Sequence, residues 1–97
     1  MKKKLVYNIN VTKENIAHGE PRCENTCPIA IAIKNATHRK FIVDVNVHTV
    51  NLISLRSANT YEARLPKKGS NFVNKFDSGE KVKPISLELE FKNISAE

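Results

Sequence analysis

The sequence predicts an α+β fold, a mainly antiparallel sheet of about five strands with two or three short helices packed on one face, in the order βααβββαβ. Three observations carry this prediction. Apolar residues recur at every second position in the segments around residues 5–11, 41–47, 61–65 and 85–91, the period of half-buried strands. Pro28 and Pro66 each open a stretch that reads as helix. The middle strands follow one another with only short turns between them, which makes a meander rather than a parallel crossover.

In the first strand, Leu5, Tyr7, Ile9 and Val11 share one face. Thr12 then caps a short helix over residues 13–18, and Gly19 is expected to end it in a left-handed conformation that side chains disfavour. A polar loop containing Pro21 follows. Cys27 is the expected cap of the next helix and Pro28 its first residue, where a missing N–H costs nothing. Ile29, Ala32, Ile33 and Ala36 form its apolar stripe. The alternating isoleucines also fit a strand, and it is the Pro start, the alanines and the polar end that favour helix. Phe41, Val43, Val45 and Val47 form the clearest mid-chain strand, followed by one around Val50, Leu52 and Ile53 and one through Tyr61, Ala63 and Leu65. Leu65-Pro66 opens the last helix, with Phe72, Val73 and Phe76 on one face and Gly79 as its stop. After Pro84, Ile85, Leu87, Leu89 and Phe91 alternate with Ser86, Glu88, Glu90 and Lys92. One sheet face is therefore apolar and the other wet.

At 97 residues, with no repeat, low-complexity tract or linker, the chain reads as one domain over residues 1–97. It holds no apolar run of about 18 residues, and Lys2-Lys3-Lys4 leads straight into a strand, so a cytoplasmic protein without membrane span or signal peptide is expected. Sixteen Lys and Arg against ten Asp and Glu give a net charge of +6, which favours anionic partners. The basic clusters are Lys2-Lys3-Lys4, Arg39-Lys40, Lys67-Lys68 and Lys81 with Lys83. The plain alternative is a solubilising surface. There is no Trp, and Phe72, Phe76 and Phe91 fall on core positions rather than on a stacking platform for bases.

His18-Gly19, then Cys27-Pro28-Ile29-Ala30-Ile31-Ala32-Ile33, then Leu65-Pro66 before a Phe-containing helix, then Phe76-Asp77-Ser78-Gly79-Glu80-Lys81-Val82 with Pro84 occur in this order. The combination resembles a family of small uncharacterised proteins encoded by bacteriophages and prophages, and it spans most of the chain. The sequence departs from that pattern at Lys67-Lys68-Gly69-Ser70, and Cys23 is not one of its markers. The resemblance implies an accessory protein acting in the cytoplasm of a bacterial host. It brings no activity and no functional residue with it.

Chemistry-bearing residues are few. Cys23 and Cys27 with His18 and His38 are the metal-capable group, but three residues separate the cysteines and no second pair exists, so no metal is expected. A disulfide between them is disfavoured in a reducing cytosol. Cys27 at a helix start could be a nucleophile, its pKa lowered by the helix, with His18 as base. The same helix start, with Arg22 beside it, suits an anion. No Rossmann or Walker glycine spacing is present, which excludes ordinary nucleotide-hydrolysing machinery. The leading expectation is therefore a non-enzymatic binder, without cofactor, of an anionic small molecule or nucleotide, including a phosphorylated signal of bacterial defence that it would sequester. The candidate ligand-binding residues are His18, Arg22, Cys27, Arg39, Lys40, Lys67 and Lys68. The alternative is a factor that contacts nucleic acid or a host protein, or a second copy of itself, through the basic clusters and an exposed strand edge.

Overall fold

A computed structural model describes residues 4–21, 26–57 and 59–95. The elements follow the predicted order: β1 (Lys4–Val11), α1 (Lys13–His18), α2 (Pro28–Ala36), β2 (Phe41–Val45), β3 (Thr49–Ser54), β4 (Thr60–Arg64), α3 (Lys67–Asp77) and β5 (Ile85–Asn93). The strands form one sheet in the order β1-β5-β4-β3-β2. All four pairings are antiparallel.

The register places the alternation seen in the sequence on the intended faces. Tyr7 pairs with Leu89 and Ile9 with Leu87 on the inner face, while Asn8 pairs with Glu88 and Val6 with Glu90 on the outer. Glu88 and Glu90 thus face neutral residues of β1, and it is Lys92 that meets a carboxylate across the sheet, opposite Glu62. Inner-face residues from every strand join Ile29, Ile33, Phe72 and Val73 in one buried cluster. Tyr7 packs against this cluster and meets Phe91 edge to face, with ring centroids 6.2 Å apart.

α2 touches both β1 and β2, the two edges of the sheet. A flat five-stranded sheet would be about 19 Å across, and a helix is only about 10 Å wide. The sheet therefore curls around α2. The small side chains of Ala30 and Ala32, both buried, let the strands come close to this helix, and Ile29 and Ile33 are fully enclosed. α3 is tied to the turn between β2 and β3 by Ser70 Oγ, which donates to the Val47 carbonyl at 2.6 Å.

The local signals act as expected at most element ends. Thr12 and Asn15 cap α1 reciprocally, with N···O distances of 2.9 and 3.1 Å. Gly79 stops α3 with a φ of 82°. Gly19 is a correction. It is extended, with φ −73° and ψ 153°, not left-handed. Its lack of a side chain serves packing: a Cβ there would lie 2.5 Å from Pro28 Cδ. The left-handed residues are instead His38 (φ 56°) and Arg39 (φ 60°), just after α2. Such conformations cost about 1–2 kcal/mol per non-glycine residue. They are held by the Arg39 N–H, which donates to the Lys34 carbonyl at 2.8 Å, and by Thr37 Oγ1, which donates to the Ile33 carbonyl at 2.9 Å.

Candidate functional site

The start of α2 is occupied by the protein itself. Cys27 caps the helix as expected, its Sγ accepting the Ala30 N–H at 3.4 Å. Cys27, Pro28, Ile29 and Ala30 are all buried, and Gly19 packs on Pro28. Burial raises the Cys27 pKa, outweighing the backbone hydrogen bonds from Ala30 and Ile29 that lower it, and nearby Asp77 raises it further. The expectation of a thiolate favoured by the helix is overturned, because desolvation exceeds the pull of the helix start. Arg22 and Cys23 lie outside the described residues, so their readings beside Cys27 do too. Among the described residues, no three His, Cys, Asp or Glu side chains gather in a way that would hold a metal.

His18 and Arg39 come together elsewhere. Both line a cleft of about 720 Å³ bounded by the edge of β1, by α1 and by the second half of α2. Asn8, Asn10, Thr12, Glu14, Asn15 and Asn35 supply its other polar groups, and Ile31, Ala32 and Ala36 its apolar wall. His18 reaches it from the last turn of α1, and Arg39 from the left-handed turn after α2. Lys40, next in the chain, starts the approach to β2, its carbonyl accepting the Leu55 N–H at 3.2 Å, and is not part of the cleft wall.

The lysines converge at a second site. Lys68 and Lys75 on α3, seven residues apart and so on one helix face, meet Lys81 and Lys83 from the segment leading into β5. Together they rim a groove of about 400 Å³ whose floor is Phe72, Val82 and Ile85. Among the described residues, no carboxylate lines it. Phe72 is itself stacked on Phe76, with ring centroids 6.2 Å apart, so the floor is fixed by the core beneath it. Lys67 shares the first turn of α3 but does not line the groove.

Local electrostatics at this end of α3 run against helix stability. The first turn holds Lys67 and Lys68, no acidic residue, and no side-chain cap, since Pro66 occupies the cap position. Cations at a helix N-terminus oppose the macrodipole at a cost of about 0.3–1 kcal/mol each. An anion in the groove would relieve the mutual repulsion of the lysines that line it. The sequence marked Lys67-Lys68 and Lys81 with Lys83 as separate clusters. Lys75 belongs to none of these clusters, and its one signal in the sequence is its seven-residue, helix-face spacing from Lys68. Nothing in the spacing of Asn8, Asn10 and Asn35 shows that β1 and α2 share a cleft.

Comparisons with protein-family models, with curated proteins and with solved structures find no match to this chain. The site therefore has to be read from its own chemistry.

Proposed function

We propose that this protein is a non-catalytic binder of an anionic small molecule carrying both phosphate and an apolar or aromatic body, as a nucleotide does. One observation carries the reading: four lysines surround an apolar floor with no carboxylate among them. Flexible ammonium groups act as point charges on phosphate without demanding a fixed fork geometry. The floor of Phe72, Val82 and Ile85 offers contact to the uncharged part of the ligand. A volume of about 400 Å³ falls in the range of small-molecule pockets. With the buried Cys27 thiol lining neither cavity, the reading needs no covalent step. Taken with the resemblance to phage-encoded proteins, the ligand class extends to phosphorylated signals of a bacterial host, with sequestration as the biological effect.

Thermal-shift screening of nucleoside mono-, di- and triphosphates and cyclic nucleotides, at low and high salt, tests this. Ligand at a hundred times its Kd stabilises the native state by about 2.7 kcal/mol. In a domain of this size each kcal/mol raises Tm by about 4–8 °C. The expected result is a salt-sensitive rise for at least one phosphorylated ligand that Lys75→Glu with Lys81→Glu abolishes. No shift with any of them at low salt would remove the proposal.

A further inference from the structure

The cleft beside β1 has a chemistry different from the lysine groove. β1 is an edge of the sheet. It pairs with β5 residue for residue from Lys4 to Val11, with no bulge to twist it away from a newcomer. From Leu5 to Val11 it reads LVYNINV, without charge, proline or glycine. Edge strands are ordinarily blunted by short length, charge, proline or a bulge, because half of their backbone N–H and C=O groups are left unpaired. The opposite edge, β2, has two such devices: it is five residues long and carries Asp44. β1 has none of them over seven consecutive residues.

The cleft also supplies room for a strand beside β1. It runs between Asn8 and Asn10 on the strand and Ile31, Ala32 and Ala36 on α2. Neighbouring strands lie about 4.8 Å apart, so a chain added to β1 enters this space directly. Its alternate side chains would fall against Ile31 and Ala36 of α2, both half-buried, and the others beside the amides of Asn8 and Asn10. Arg39, exposed on the left-handed turn after α2, lines the cleft with a cation, and Glu14 of α1 lines it with a carboxylate. We infer that the β1–α2 cleft binds an extended segment of a partner protein, added to β1 as a sixth strand, with apolar residues at alternate positions and an acidic residue that meets Arg39. Two copies of this chain are a poorer match, since each carries a net charge of +6.

The probe is an array of labelled synthetic peptides about ten residues long, with Val, Ile or Thr at alternate positions and one Asp, followed by fluorescence anisotropy and by amide exchange of the ¹⁵N-labelled protein. Members of the array are expected to bind and to slow exchange at alternate β1 amides. Asn8→Lys and Ile31→Lys, one on an exposed strand position and one on the helix wall, are each expected to weaken binding by about tenfold or more while leaving Tm within the range of surface changes. Lys75→Glu with Lys81→Glu is expected to leave peptide binding in place, which separates this site from the lysine groove. The inference is overturned by an array without binders, by binding that survives both cleft substitutions, or by β1 amide protection in the free protein that rises with its own concentration.

Discussion

Cys27 shows how one residue can carry two opposed signals. Its position at the start of α2 argues for a stabilised thiolate, and its burial argues for a neutral thiol. Burial wins, since only 6% of the residue remains exposed and desolvation is the largest influence on it. A pH dependence follows. The folded chain holds the thiol proton more tightly than the unfolded chain, so the contribution to stability is complete below 9.0 and is lost as pH rises from there through the folded value. The slope reaches about 1.4 kcal/mol per pH unit within that window. Cys27→Ser keeps a side chain able to accept the Ala30 N–H and does not titrate in this range. Denaturant unfolding from about pH 7 to about pH 10 should show a loss of stability in the native sequence that is shallower in Cys27→Ser by up to that slope. Parallel curves for the two proteins would mean that the thiol is not desolvated in the folded state.

At the scale of elements, the helices were legible from their ends. Pro28 decided α2 against a strand despite the alternating isoleucines, and the reciprocal pair Thr12 and Asn15 lies at the start of α1. Gly19 was legible as a stop but not in its reason, because the reason lies nine residues further on in the ring of Pro28. That contact joins α1 to α2 and closes the helix start that the sequence offered as an anion site. Gly19→Ala tests it. The backbone there is extended and suits alanine, so the cost must come from the clash, a Cβ 2.5 Å from Cδ of a rigid ring. Overpacking of this kind costs about 1–3 kcal/mol. Tm should fall by about 4–8 °C for each kcal/mol lost. An unchanged Tm would show that α1 moves away from Pro28 without penalty.

The whole molecule consists of a local meander closed by a distant pairing. β2, β3 and β4 are joined by tight turns, whereas β1 and β5 bring together the two ends of the chain, Lys4 opposite Lys92. The two parts of the sheet are linked by β4 and β5, through Tyr61 with Asn93, Glu62 with Lys92, and the Ile94 N–H, which donates to the Thr60 carbonyl at 2.8 Å. This long-range closure is also what the sequence concealed about function. Alternation along one strand reveals its faces, but only the curl of the sheet sets Asn8 and Asn10 beside Asn35 and Arg39, and only the return of the chain after Gly79 brings Lys81 and Lys83 to Lys68 and Lys75. The same asymmetry predicts the order of folding. Loop closure costs about 0.6 kcal/mol for each doubling of loop length, so pairing β1 with β5 costs roughly 2–3 kcal/mol more than closing either hairpin of the meander. The meander should form in the transition state and the end-to-end pairing after it. Leu52 in β3 and Leu89 in β5 are both fully buried, and truncation of either to alanine costs about 2–5 kcal/mol. Stopped-flow chevrons should assign these losses differently, Leu52→Ala slowing refolding and Leu89→Ala mainly accelerating unfolding. The reverse assignment would require that the chain ends meet before the meander, at a closure cost that no local contact had yet offset.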